Sequence, residues 1–426
     1  MVAFLFITLF VLLFLGVPVF VCLSLSALLT LALFTNTPLM VTAQRMLGGV
    51  DKFALMAVPF FIFGANVMKF GGIAKRILNW AHAFVGGLKG GLSLTTELAC
   101  MFFGAVSGSS PATVVAIGGL MYPALKEGKY DDGFSVGLIT SSGSVALLIP
   151  PSISAIVYGS VTGASVGALF MAGLGAGIIY GLFYLVYCYW FARKTGVPVS
   201  EKMPWSEKWK ITKEAAWALG VPVIIMGGIY AGIFTPTEAS GISAIYAVLV
   251  SMFIYKEMDL KTLWKTCVVS AESTAQTMIL LAAASLFGYA LTVGQVPQNL
   301  TKFMISMNLG PVGFLLMINI ILIIAGMFID GSSAIIIIAP LVYPIAMQLG
   351  IDPIHLGVIM VANAAIGMFT PPFGMNLFVA QPVTGVSMTK IIKGVMPFIV
   401  ISLIALMVIT YVPEISLIIP NMVYGK

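Results

Sequence analysis

Two short polar clusters interrupt long apolar stretches of this chain and could bind a small cation. The first is Ser107–Ser110 and the second is Gly331–Ser333. A bound Na⁺ needs several oxygen ligands without a strong fixed charge, and serine hydroxyls together with carbonyls freed at a helix break supply them. Small residues can also serve only to let helices pack closely, so packing alone is the competing interpretation.

A pair of adjacent prolines follows each cluster, Pro150-Pro151 and Pro371-Pro372. Two prolines cannot continue a helix, and they leave carbonyls in the preceding turn without an N–H partner. The pattern predicts that the tip Ser107–Ser110 faces the break 141–151, and that the tip Gly331–Ser333 faces the break 370–376. Because the whole arrangement occurs twice, cation binding is favoured over packing alone.

Asp330 is the only acid between Val312 and Pro340. An acid at such depth in an apolar stretch is expensive and indicates a functional role. The alternative is that Asp330 caps the helix that begins near Gly331. A carboxylate here would accept hydrogen bonds from a solute's hydroxyl or amide groups and would repel a bare dicarboxylate, which favours a polyhydroxylated acid.

The amino-acid composition is typical of an integral membrane protein. The 426 residues are 60% hydrophobic and 8% charged, whereas soluble domains carry roughly 25% charged residues. At about 20 residues per crossing, the chain has room for roughly ten to twelve membrane spans. The net charge of +6 comes from basic residues in short loops, which is the pattern of cytoplasmic loops and not of a nucleic-acid-binding surface.

The sequence lacks the residues that several other classes of protein require. The sequence has no GxxxxGK[ST] loop, so a nucleotide-driven pump is disfavoured. It has two histidines far apart, four scattered cysteines and no evident nucleophile–base pair, so we expect neither an enzyme nor a catalytic residue nor an organic cofactor. A channel has no need of two capped hairpins, because it does not alternate access.

The two polar clusters belong to an internal repeat with an offset of 221 to 223 residues. Lysines bracket the first cluster closely, whereas Lys302 precedes the second and none follows until Lys390. The first hairpin should therefore open to the cytoplasm and the second to the outside, as in the inverted repeats of transporters. The shared landmarks are Gly108 and Gly331, Tyr122-Pro123 and Tyr343-Pro344, Asp131 and Asp352, the two double prolines, and Val161-Thr162-Gly163 and Val383-Thr384-Gly385.

Three segments resemble a known family. They are SGSSPAT at 107–113, SSGSVALLIPPS at 141–152 and TPPFGMNLF at 370–378. They are similar to the large membrane subunit of tripartite ATP-independent periplasmic (TRAP) transporters, and the resemblance covers essentially the whole chain. It implies an elevator mechanism, coupling to two or more Na⁺ ions, and import of an organic acid, such as a sialic acid or a C4-dicarboxylate, across the bacterial inner membrane. It also implies two partners, a small four-helix membrane subunit and a periplasmic binding protein.

The resemblance also carries roles to particular residues. It assigns three sets, which are a first sodium site of Ser107, Ser109, Ser110, Gly143 and Pro150, a second sodium site of Gly331, Ser333, Thr370, Gly374 and Asn376, and a solute site of Ser109, Ser152, Ser154 and Asp330. The alternative function is a stand-alone Na⁺/dicarboxylate carrier that needs no binding protein.

The fold expected from these observations is an all-α polytopic membrane protein with an inverted repeat, two re-entrant hairpins and broken helices. Residues 2–35 form either one kinked helix or two short ones, and the side of the N-terminus stays open. The expected divisions are scaffold and an interfacial arm helix at 1–90, the first transport half at 91–192, a cytoplasmic linker at 193–213, scaffold and a second arm helix at 214–310, and the second transport half at 311–426.

Overall fold

The computed structural model describes residues 1–199, 202–296, 298–299, 302 and 310–424, and in this part of the chain the regular structure is entirely helical. The N-terminal segment forms two helices because Gly16 adopts a φ of 76° and Pro18 follows it. The first five helices are α1 (Val2–Phe14), α2 (Val19–Phe34), α3 (Leu39–Val50), α4 (Ala57–Phe70) and α5 (Ile73–Val85).

Helix α5 is the amphipathic segment that the sequence predicts for an interface. Ile73, Ile77 and Ala81 are buried on one of its faces, while Lys75 is exposed. Helix α5 packs against the helix Gly91–Ser107 and against the helix Trp205–Tyr230. Helix α5 therefore joins two groups of helices, a position that suits an arm between a scaffold and a mobile unit.

The first repeat unit consists of a helical hairpin, a broken helix and one long helix. Hairpin 1 is α6 with α7, and broken helix 1 is α8 with α9. A 3₁₀ turn over Gly143–Leu147 and a cis Pro150-Pro151 bond separate α8 from α9. The bounds are α6 (Gly91–Ser107), α7 (Ser110–Glu127), α8 (Asp132–Ser142), α9 (Ile153–Thr162) and α10 (Val166–Thr195).

Three further helices follow, which are α11 (Trp205–Tyr230), α12 (Pro236–Leu249) and α13 (Leu260–Val293). Helix α10 extends to Thr195 and α11 begins at Trp205, so the link between the halves is shorter than the expected linker 193–213. Helix α12 packs against α4, and α13 packs against α2, α3 and α4. These helices form one packed group, which touches the first hairpin where α4 meets α6 and the second hairpin where α13 meets the helix Gly331–Gln348. The second arm helix expected before residue 310 falls largely outside the described residues.

The second repeat unit has the same order of elements. Hairpin 2 is α14 with α15, and broken helix 2 is α16 with α17, again with a cis Pro-Pro bond between its halves. The bounds are α14 (Pro311–Gly326), α15 (Gly331–Gln348), α16 (Pro353–Gly367), α17 (Met375–Thr384), α18 (Met388–Tyr411) and α19 (Glu414–Tyr424).

Matching helix caps confirm the repeat and correct its register at the tips. Asp131 and Asp352 both cap the broken helices by accepting backbone N–H groups. Ser109 and Asp330 are the N-cap residues of α7 and α15, which both have 18 residues. The offset at the tips is therefore 221, as it is through the middle of the unit. Aligning the Gly-Ser-Ser letters gives 223 and is wrong by two residues, because the position of the cap, and not the residue types, fixes where the helix begins.

Candidate cation and solute site

Tip 1, residues Ser107–Ser110, lies against the proline break of broken helix 1. Gly108 has a φ of +57°, and a Cβ added to it would lie 2.5 Å from the carbonyl oxygen of Pro151. The backbone can approach the break this closely only because residue 108 has no side chain. The hydroxyls of Ser107 and Thr113 lie 3.0 Å apart within the tip, so Ser107 already has a partner there.

Gly143 brings the end of α8 beside the same tip. A Cβ on Gly143 would lie 3.1 Å from the carbonyl oxygen of Ser110. Helix α8 ends at Ser142, where the Gly143 N–H donates to the Ile139 and Ser141 carbonyls and a 3₁₀ turn takes over from the α-helix. Pro150, also assigned to this site, is buried at the break. The structure therefore brings together Ser107, Ser109, Ser110, Gly143 and Pro150, the five residues predicted for the first site.

Asn376 lies at tip 1, although the sequence assigned it to the second sodium site. Its side chain is fully buried, and its Nδ2 donates to the Ser110 hydroxyl at 2.7 Å and to the Thr140 carbonyl at 2.9 Å. The Thr140 carbonyl can only accept, so it fixes the orientation of the amide. The Asn376 Oδ1 atom is then a buried acceptor with no donor among the described residues. A buried acceptor without a donor, beside hydroxyls and backbone carbonyls, is an oxygen that could ligate a cation.

Tip 2, residues Asp330–Ser333, is held by the side chain of Asp330. One carboxylate oxygen accepts the backbone N–H groups of Ser332 and Ser333 at 3.0 and 3.1 Å, and the Ser333 hydroxyl donates to the other oxygen. The N-cap role considered for Asp330 is therefore present. These three donors partly offset the negative charge of Asp330. The carboxylate therefore repels an anionic solute less strongly than a carboxylate without hydrogen bonds would.

The other residues predicted for the second site line the break of broken helix 2. A Cβ added to Gly331 would lie 2.7 Å from the Cβ of Ala364 in α16, so this glycine permits close packing. The Thr370 hydroxyl donates to Ile366 at 2.6 Å, and the Gly374 N–H donates to the Thr370 carbonyl at 3.1 Å. The Thr370 hydroxyl thus bonds back to the last turn of α16. Asn376 also lies at this break through its backbone, because its N–H donates to the Met368 carbonyl at 2.8 Å. Its side chain bonds to tip 1 instead, away from Gly331 and Ser333.

The residues predicted for the solute site are divided between the two tips. Ser152 caps α9 by accepting the Ala155 N–H at 3.2 Å, and the Ser154 hydroxyl lies 3.3 Å from the Ser332 hydroxyl of tip 2. Ser152 and Ser154 are each only 1% exposed. Ser109, by contrast, is partly exposed at tip 1. The geometry therefore places Ser154 with Asp330 at tip 2, and Ser109 at the opposite tip.

Each hairpin tip contacts the broken helix of the other repeat unit. Ser110 of tip 1 bonds to Asn376 in α17, and Ser332 of tip 2 meets Ser154 in α9. Under the offset of 221 at the tips, Ser110 corresponds to Gly331, the neighbour of Ser332. The helices α9 and α17 begin 222 residues apart, so Ser154 corresponds to Asn376. The two contacts are thus mates under the internal symmetry to within one residue at the tips. The sequence paired each tip only with its own half. It included Ser332 in the second polar cluster without its contact to Ser154, and it missed Thr140.

Comparison with known proteins shows similarity along the full length of the chain. The family model "Tripartite ATP-independent periplasmic transporter, DctM component" matches residues 6–415. A C4-dicarboxylate TRAP transporter large permease protein of Pseudomonas aeruginosa is 42% identical over 94% of this chain and 93% of its own length. A sialic acid TRAP transporter large permease protein of Vibrio cholerae is 35% identical over 97% of both chains.

A solved structure shares the fold. The Alcanivorax borkumensis YdaH transporter matches with a TM-score of 0.60 over 92% of this chain and 90% of that one, at 14% identity. In the described residues, six helices are long and apolar enough to cross a membrane by length and composition. The relatives are transport proteins of the membrane and not enzymes. The chain belongs to the DctM component family of tripartite ATP-independent periplasmic transporters and is a multi-pass membrane permease subunit.

Proposed function

We propose that this chain imports an organic acid across the bacterial inner membrane, driven by Na⁺, by an elevator movement of the hairpins and broken helices. The observation that carries the proposal is the pair of symmetry-related hairpin tips, each set against a broken helix. Broken helices at such positions supply carbonyls and helix ends for a solute and its coupling ions. Helices α3, α4, α12 and α13 form the scaffold against which the mobile unit slides.

The ends of the helices support an inverted arrangement of the two hairpins. At the base of hairpin 1, Asp132 makes ion pairs with Lys126 and with Lys390, the latter at 2.6 Å. Lys390 belongs to the start of α18, so this end holds a lysine from each half, and on the charge pattern of the loops it faces the cytoplasm. At the other end, the Tyr158 hydroxyl donates to the Pro353 carbonyl at 2.8 Å, beside the base of hairpin 2. The hairpins thus enter from opposite faces.

Tip 1 has the chemistry of a monovalent cation site. Its polar groups are hydroxyls, backbone carbonyls and the unpaired Oδ1 of Asn376, all of them neutral. Calcium and magnesium sites normally include carboxylates. We assign Na⁺ to this position, with a second ion at tip 2 where the Ser333 hydroxyl and the break after Thr370 lie.

The solute site lies between the tips, near Ser109, Ser154 and Asp330. The relatives named above transport a C4-dicarboxylate and a sialic acid according to their names, and both are organic acids. The N–H and O–H donors around Asp330 offset its charge, which reduces the electrostatic objection to a dicarboxylate. Both acids are therefore substrates to test.

Two partners complete the proposed transporter, a small membrane subunit and a periplasmic binding protein that delivers the solute. Support comes from the tripartite description of the family. The scaffold also exposes large apolar residues, such as Leu39 and Leu47 on α3 and Phe10 on α1, which lipid or the small subunit would cover.

The experiment is uptake into proteoliposomes that contain this chain and the small subunit. An inward Na⁺ gradient is applied with labelled succinate or N-acetylneuraminate, with or without the binding protein, and with K⁺ replacing Na⁺ as the control. Uptake that needs both Na⁺ and the binding protein supports the proposal. Uptake on Na⁺ alone would make the chain a stand-alone carrier, and uptake indifferent to Na⁺ would refute the coupling.

A further inference from the structure

A buried acid outside the tips has no role in the transport site described above. Glu97 lies in the middle of α6, and its side chain is 0% exposed. Neither carboxyl oxygen has a hydrogen-bond partner among the described residues, and no Lys, Arg or His lies within ion-pair distance of it there. An isolated carboxylate in such surroundings is strongly disfavoured, and the group takes up a proton instead.

A second unpartnered group lies beside this acid. The Ser142 hydroxyl, in the last residue of α8, is also fully buried and has no partner in the described part of the chain. It faces the Glu97 carboxyl. A protonated carboxyl has one O–H donor, and a serine hydroxyl has lone pairs to accept it. A small rotation of either side chain would therefore satisfy both groups. The hydroxyl could also donate to a carboxylate, but no second donor and no cation among the described residues would then offset the buried charge.

The groups that surround Glu97 are neutral. Helix α10 contributes Tyr180, Tyr184 and Cys188, and α6 contributes Cys100. The two tyrosine hydroxyls bond to Ser402 of α18 at 2.8 and 2.7 Å and so are already engaged. A Cβ added to Gly181 would lie 2.6 Å from the Met101 sulfur and 3.3 Å from a Glu97 carboxyl oxygen, so both side chains pack against this glycine.

We propose that Glu97 is a membrane-embedded proton site, a neutral acid that donates to the Ser142 hydroxyl and holds the end of α8 against tip 1. Ser142 directly precedes Gly143, whose backbone packs beside the Ser110 carbonyl. Glu97 therefore acts as a positioning residue for the cation site and does not touch the ion. The positioning role rests on the proposed Na⁺ site, whereas the protonation of Glu97 does not.

Infrared difference spectroscopy on the purified full chain in lipid nanodiscs tests the protonation. The spectrum of the wild type minus that of Glu97→Gln at about pH 7 should contain the carbonyl stretch of a neutral carboxylic acid. Glu207→Gln is the matched control, because Glu207 is exposed and its removal should subtract a carboxylate band. A carboxylate band for Glu97 as well would overturn the proposal.

The positioning role is tested by thermal unfolding. The unfolding temperature is measured as NaCl replaces choline chloride, and the rise with Na⁺ concentration gives the apparent Na⁺ affinity. Glu97→Gln keeps an N–H donor and should keep the apparent Na⁺ affinity, whereas Glu97→Leu should weaken it by about three- to tenfold, the size of one lost hydrogen bond. Equal affinity in Glu97→Leu and the wild type would refute the positioning role. If Na⁺ does not stabilise even the wild type, the proposed cation site fails, while the infrared result still decides the protonation. Should Glu97→Leu not fold, Ser142→Ala provides the same comparison.

Discussion

Replacing Gly108 with alanine should weaken Na⁺ binding and solute uptake without preventing membrane insertion. Gly108 forms the turn of tip 1 with a φ of +57°, and an added Cβ would meet the Pro151 carbonyl oxygen at 2.5 Å. Ordinary contact begins at 3.4 Å, so the tip would have to retreat by about 0.9 Å, the difference between 3.4 and 2.5 Å. Such a retreat would move the Ser107 and Ser110 oxygens away from the break.

The magnitude follows from the backbone conformation. A left-handed conformation costs a non-glycine residue about 1–2 kcal/mol, and opening the tip would relieve both this cost and the clash. An energy of one to two kcal/mol changes an equilibrium by a factor of about 5 to 30. If Na⁺ binds only to the closed tip, the half-saturating Na⁺ concentration should rise by about that factor.

Gly119→Ala in the same hairpin is the matched control. Gly119 lies inside α7, and a Cβ added there has nothing within 4 Å, so alanine should be neutral or slightly favourable to the helix. The assay is solute uptake into proteoliposomes as a function of Na⁺ concentration, with the amount of inserted protein measured for each variant. If Gly108→Ala and Gly119→Ala gave the same Na⁺ dependence, the tip would not form the ion site. Loss of insertion in Gly108→Ala would return this glycine to a packing role.

Four further outcomes are expected. Initial uptake rates should rise more steeply than first order in external Na⁺, and a strictly first-order dependence would contradict two coupled sites. Asn376→Leu, which removes the unpaired Oδ1, should raise the half-saturating Na⁺ concentration at least about fivefold in the same assay; an unchanged value would remove Asn376 from the ligands. Asp330→Asn should keep the helix cap, because the two residues cap equally well, but should weaken solute affinity; unaltered affinity would exclude Asp330 from the solute site. A cysteine replacing Lys390 should react with an impermeant maleimide only from the cytoplasm and one replacing Glu414 only from outside, and the same sidedness for both would refute the orientation of α18.

The sequence predicts the elements well wherever helix-breaking residues interrupt an apolar run. Both hairpins and both proline breaks occur as expected, because Pro and Gly act on the local backbone whatever the tertiary context. The N-terminal ambiguity was resolved as two helices at Gly16 and Pro18 for the same reason. The expected linker 193–213 is longer than the observed one, because α11 already begins at Trp205. A run of charged residues suits the end of an amphipathic helix as well as a loop.

The grouping of site residues was less predictable, because it depends on which helices pack together. Local pattern placed Asn376 beside the tip of its own half, yet its amide bonds to Ser110, 266 positions away. Nothing in the spacing of an apolar chain specifies such a pairing. The internal offset carries a usable signal all the same. Once one cross-half contact is known, the offset of 221 to 222 residues predicts its mate to within one residue, as the Ser154–Ser332 contact shows.

The paired cross-half contacts give a physical reason why the two hairpins should respond together. Tip 1 cannot move away from its break without disturbing Asn376, and Asn376 belongs to the broken helix whose other half packs against tip 2. The same holds for tip 2 through Ser154 and broken helix 1. An ion that stabilises one closed tip therefore favours the arrangement in which the other tip is closed. Under the proposed mechanism, this linkage would let Na⁺ binding at one tip raise the affinity of a solute held between both tips, and solute binding would raise Na⁺ affinity by the same factor.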